Sequence, residues 1–61
     1  MYLDLDKAKL MGQGPWVKDS AWRVYQLDGK YYCVMVYDRQ NLHVMEELTE
    51  EITEEEVQTY I

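Results

Sequence analysis

The chain has 61 residues, a formal net charge of −6 and an apolar fraction of 48%, with six Tyr, two Trp and no Phe. That length excludes more than one domain, while the aromatic and apolar content supplies a core that disordered chains lack. No run approaches the roughly 20 apolar residues of a membrane span, and Met1-Tyr2-Leu3-Asp4-Leu5-Asp6 has neither the basic region nor the apolar stretch of a signal peptide.

A single cytoplasmic domain over residues 1–61 is therefore expected. Cys33 is the one cysteine and cannot form an internal disulfide. It lies within the apolar run from Tyr31 to Tyr37, where a small buried thiol in a reducing compartment is the ordinary reading.

In chain order, the first signals are those of a helix. Asp4 is a candidate N-cap, Asp6 falls in the first turn, Lys7 and Lys9 follow, and Gly12 can end the element. This punctuation predicts a short helix over residues 5–11, with an edge strand through Tyr2, Leu3 and Leu5 as the alternative. Gly12-Gln13-Gly14-Pro15 reads as a loop. Asp28-Gly29 then separates two runs rich in Val, Tyr and Trp, and suits the positive φ angles of a type I′ hairpin turn. Strands are predicted near residues 19–27 and 30–37. A second turn at Asp38-Arg39-Gln40-Asn41 leads to a third strand that begins at Leu42-His43-Val44-Met45 and extends through Leu48. Thr53 with Glu56 has capping-box spacing, which predicts a helix over residues 54–60 docked through Val57, Tyr60 and Ile61. The expected fold is thus α+β: a three-stranded antiparallel β-meander with a short N-terminal helix or edge strand and a short C-terminal helix.

A two-residue turn sets the register, pairing Leu27 with Lys30 and, by extension, Trp22 with Met35. One face then collects Trp22, Val24, Tyr31, Cys33, Met35 and Tyr37. With a four-residue second turn pairing Tyr37 with Leu42, the third strand adds Leu42, Val44 and Leu48, and the terminal helices cover this face. The other face collects Ala21, Arg23, Tyr25, Leu27, Tyr32, Val34 and Val36, with His43, Met45 and Glu47. Because the central strand is apolar on both sides, the second face also needs cover. Either the N-terminal segment folds over it, or Tyr25, Tyr32, Val34, Val36 and Met45 form a self-association or partner surface. Too few residues remain to cover two whole faces.

Charge is segregated along the chain. All six Lys and Arg lie before residue 42, whereas Glu46, Glu47, Glu50, Glu51, Glu54, Glu55 and Glu56 follow with no basic residue among them. Such a segment repels nucleic acid and anionic lipid and attracts basic surfaces. A solvated face is the plain reading; mimicry of the phosphate array of DNA is the functional one.

Catalysis has little to work with. There is one His and one Cys, no nucleophile–base arrangement, no phosphate-binding glycine motif and no metal-ligand cluster, so neither an enzyme nor a cofactor or metal is expected. His43 follows a turn and reads as a surface side chain. In size, charge and tyrosine-rich composition the chain resembles phage or mobile-element proteins that block host DNA-binding enzymes, among them anti-CRISPR proteins and uracil-DNA glycosylase inhibitors. That resemblance carries no residue across. It implies a non-enzymatic inhibitor or modulator in the host cytoplasm. Such a protein would bind a basic, nucleic-acid-binding protein through the seven glutamates, Tyr25, Tyr32 and Met45, without contacting nucleic acid or membrane itself. The alternatives are a homo-oligomeric assembly protein joined through the second face and an antitoxin-like partner of a basic protein.

Overall fold

In the computed structural model, which describes residues 2–61, Asp28 and Gly29 adopt φ of 53° and 76°. Both values are positive, as a type I′ turn requires. The turn joins β2 (Ser20–Leu27) to β3 (Lys30–Tyr37), in the register the sequence predicts, from Leu27 opposite Lys30 to Trp22 opposite Met35. β1 (Lys9–Gln13) pairs with β2 and β4 (His43–Ile52) pairs with β3, giving a four-stranded antiparallel sheet in the order β1-β2-β3-β4. Among the described residues the one helix, α1, is Val57–Tyr60.

This overturns the expected three-stranded α+β fold with an N-terminal helix. Asp4 does cap a turn: its carboxylate accepts from the Asp6 amide, and its carbonyl accepts from the amides of Lys7 and Ala8. The helix stops after that one turn because so short a segment cannot offset the cost of nucleation, whereas extended backbone finds a ready ladder on β2. Gly12 and Gln13, expected in a loop, therefore lie in β1, and the Gly14 amide prolongs the pairing with a 2.8 Å bond to the Trp22 carbonyl.

The second turn is one residue longer than expected, since Tyr37 pairs with His43 rather than Leu42. Asp38 explains the extra residue. It adopts a positive φ of 62°, its carboxylate accepts from the amides of Gln40 and Asn41, and its own amide is tied to the Asp19 carbonyl. A one-residue slip exchanges the faces of the strand that follows. Val44 consequently joins Val36 on the second face, while His43 and Met45 join Tyr37 and Met35 on the first. Further along β4 the register slips again: Glu46, Glu47, Leu48 and Thr49 together stand opposite Val34, and pairing resumes with Glu50 opposite Cys33. Past this bulge Ile52 returns to the first face, opposite Tyr31.

Each face has its own cover. On the second, Leu3, Tyr25 and Val34 form a buried cluster, with Leu5, Ala8, Tyr32 and Val44 packed against it. The N-terminal segment is thus the lid over this face. On the first, Val24, Cys33 and Ile52 are buried beneath Val57 and Tyr60 of α1. The Tyr60 ring meets Trp22 edge-on, with centroids 5.2 Å apart. A helix of four residues depends wholly on this docking, and two glycines permit it. A Cβ on Gly12 would come within 2.8 Å of Ile61 Cδ1, and one on Gly14 would run into the Tyr60 carbonyl oxygen.

Two outcomes follow from this packing. Val34 is 0% exposed, so Val34→Lys buries an unpaired ammonium and removes cooperative thermal unfolding by circular dichroism, a loss comparable with the whole stability of so small a domain, roughly 5 kcal/mol. Gly14→Ala forces α1 away from the sheet. It lowers stability by about 1–3 kcal/mol and weakens the near-ultraviolet signal of Trp22, while the strand signal persists.

Candidate protein-binding surface

β4 is an edge strand, and all four of its glutamates, Glu46, Glu47, Glu50 and Glu51, are exposed. Glu50 and Glu51 point to opposite faces because they pair with Cys33 and Tyr32. The carboxylates therefore fringe the edge and do not pave one side. The chain then turns through Glu54, Glu55 and Glu56, also exposed, into α1. This turn is held by a reciprocal capping box. Thr53 Oγ1 accepts from the Glu56 amide at 3.3 Å, and Glu56 Oε1 accepts from the Thr53 amide at 3.1 Å and from its hydroxyl at 3.1 Å. The box matches the sequence expectation, although regular helix starts at Val57 and not at residue 54.

Of the strand glutamates, Glu51 shares a surface with the turn. Glu51, Glu54 and Glu56 border a single shallow cleft of about 350 Å³ with Lys30 and Tyr31. Lys30 Nζ is 4.0 Å from Glu51 Oε1, but both side chains are more than half exposed, so the pair contributes little. At the other end Glu46 borders a second cleft with Asp4, Leu5, Asp6 and Val44. Asp4 and Asp6 thus extend the acidic edge. Sequence reasoning missed them because only the folding of the N-terminal segment over Val44 brings them there.

The aromatic and apolar residues expected beside the glutamates separate from one another. Tyr25 is 7% exposed, packed in the second-face core, with its hydroxyl accepting from Arg23 Nη1 at 3.4 Å. Tyr32 is half-buried against the same cluster, and Met45 is half-buried on the first face opposite Met35. The slipped second turn is what takes Met45 away from the two tyrosines. Val34 and Val36 are fully buried. The second face is therefore no open patch.

His43 is exposed and stacks on Tyr37 at 5.2 Å. Among the described residues, no three His, Cys, Asp or Glu side chains converge on a metal-sized site, and no helix is long and apolar enough to cross a membrane. No protein-family model matches the chain, and neither a curated protein nor a solved structure matches it.

Cys33 lies beneath α1 as a free, buried thiol. Burial pushes its pKa up, against smaller lowering effects from the Glu50 backbone and the Tyr60 side chain. The folded state consequently holds this proton where the unfolded chain releases it. The resulting stability is complete below the ordinary thiol range, about pH 8.5, and is lost as pH rises through the raised folded value. Cys33→Ala should flatten the fall in melting temperature above pH 8.5, and the native thiol should react with a disulfide reagent more slowly than after denaturation.

Proposed function

We propose that this protein is a non-enzymatic inhibitor or modulator that binds a basic, normally nucleic-acid-binding protein through its acidic edge, acting in the cytoplasm of a phage or mobile-element host. The observation that supports this reading is the continuity of the carboxylates. Asp4 and Asp6 adjoin Glu46 at one end of β4, and Glu51 adjoins Glu54 and Glu56 at the other. The second of these ends also meets a basic side chain, Lys30, whose exposed pairing with Glu51 screens that carboxylate little.

Magnitudes favour a particular form of mimicry. Extended backbone advances about 3.4 Å per residue, and because of the bulge Met45 to Glu51 matches only Met35 to Tyr32 on β3, so these glutamates lie within roughly 10 Å of strand. Over that length duplex DNA carries about six charges and one of its strands about three. Four glutamates on β4 approximate one strand, which suits a groove that grips a single phosphate backbone. Self-association through the second face loses its basis, because Leu3, Leu5 and Ala8 already occupy that face.

Charge complementarity steers encounter and weakens with salt. Replacing Glu47, Glu50, Glu51, Glu54 and Glu55 together with Gln, while sparing the capping Glu56, should lower affinity for a cognate basic partner roughly ten- to hundredfold at low salt. The melting temperature should hardly change. DNA or RNA should displace the wild-type protein from that partner. A variant that keeps full affinity would sink the proposal, and binding unaffected by nucleic acid would replace mimicry with an antitoxin-like contact.

A further inference from the structure

The segment that follows β4 is fastened differently from the strands, which are tied edge to edge by backbone ladders. In residues 54–61 the amides of Glu56, Val57, Thr59 and Ile61 donate to the carbonyls of Thr53, Glu54, Glu56 and Val57. Among the described residues, the backbone bonds of this segment therefore close within it, and none crosses to the sheet. The capping box likewise joins Thr53 to Glu56 and goes no further. What holds the segment down is side-chain packing: Val57 and Tyr60 over Val24, Cys33 and Ile52, the Tyr60 ring edge on Trp22, and Ile61 over Gly12. No residue of α1 is itself buried, and Ile61 is 42% exposed. Past Trp22 the same face is an open groove of about 300 Å³, lined by Pro15, Val17, Trp22 and Met35, and not a neighbouring element that could brace the segment.

Two features depend on this docking. Val24 and Cys33 are almost wholly shielded from solvent beneath Val57 and Tyr60. The cleft of about 350 Å³ has one wall on the sheet, with Lys30, Tyr31 and Glu51, and the other on the segment, with Glu54 and Glu56.

We propose that residues 53–61 form a latch that opens as one unit, hinged after Ile52, from a sheet that stays folded. Shut, it completes the cleft; open, it takes the cleft apart and bares Trp22 and Cys33. Local opening is easiest where few apolar contacts and no ladder bonds must break. Releasing the latch breaks the packing of Val57, Tyr60 and Ile61, whereas releasing β2 or β3 breaks two ladders as well. The capping box is local, so it survives the swing and keeps the segment one body. Because Glu51 stays with the sheet while Glu54 and Glu56 travel, a ligand gripping both walls would hold the latch shut by mass action. The latch itself belongs to the free protein and stands whether or not the acidic edge binds a partner.

Cys33 is the one cysteine, so a disulfide reagent reports the opening directly. At constant pH, the wild-type thiol should label about a hundredfold or more faster than global unfolding allows. The rate should stay nearly flat in urea below the unfolding transition, since a short segment exposes little surface. Tyr60→Ala, on the latch, should raise the rate about tenfold. Leu5→Ala, in the packing of the opposite face, should lower the urea midpoint and leave the rate within about twofold of wild type. The latch is overturned if wild-type labelling climbs in urea with the full slope of global unfolding, or if Leu5→Ala speeds it by the same factor as it raises the unfolding equilibrium. An unchanged rate in Tyr60→Ala means that the thiol is reached by another route. A Tyr60→Ala chain that does not fold places the segment in the cooperative core. Either result also overturns the proposal.

Discussion

The tight turn at Asp28-Gly29 constrains every other element of this protein. Two residues with positive φ admit only one pairing of β2 with β3. In a sheet, register is parity: once Leu27 faces Lys30, Val24 and Cys33 must share one side, and Tyr25, Val34 and Val36 the other. Both sets are apolar, and the residues that bury deepest, Val24, Cys33, Val34 and Val36, come from the two strands of this hairpin. The flanking strands and the terminal segments add cover to a frame whose two sides the hairpin has already determined.

Cover is the scarce material. A domain of this size buries only about 60% of its unfolded surface, and a sheet apolar on both faces needs two lids. The N-terminal segment serves the second face through Leu3, Leu5 and Ala8, while α1 serves the first through Val57 and Tyr60. The first lid is a helix of four residues and cannot span the face. The shortage anticipated from the sequence is therefore real, but it falls on the Trp22–Met35 end of the first face and not on the face that carries Tyr25 and Tyr32.

What could be read from the residues was whatever local chemistry dictates. Asp-Gly specified a turn type, the turn specified a register, and Thr53 with Glu56 specified a cap; all three are present. Docking of α1 through Val57 and Tyr60 was legible from their placement after that cap. β1 was not legible. Its sequence, Lys9-Leu10-Met11-Gly12-Gln13, shows no alternation, its exposed apolar residues are an edge strand's compromise, and the helix punctuation before it is used for a single turn. The slip after Asp38 depends on a tie to Asp19, nineteen residues away in sequence by their numbering, and no local pattern announces it. One such slip was enough to move Val44, His43 and Met45 to the wrong faces. The acidic segment was legible as charge but not as shape: its paired glutamates at intervals of four resemble a helix repeat, while Glu46–Thr49 forms a bulge in an extended edge.

An open sheet has two edges, and both could recruit strands from other molecules. Long, straight, apolar edges aggregate; charge and bulges prevent it. β4 combines both devices, since its ladder breaks between Met45 and Glu50 and its side chains there include Glu46 and Glu47. β1 slips between Leu10 and Gly12 and carries Lys9. The two edges thus differ in charge, which would favour head-to-tail stacking of copies, yet neither offers more than three residues of unbroken register to an incoming strand. Backbone pairing is the interaction these edges resist. Exposed side-chain carboxylates on an edge that refuses strands face outward toward a surface of another kind, and a basic partner of the kind proposed would be recognised by charge and not by β-addition. The bulge that interrupts the β4 ladder also carries the consecutive Glu46 and Glu47, so protection of the edge and presentation of part of its charge arise from one departure from regular pairing.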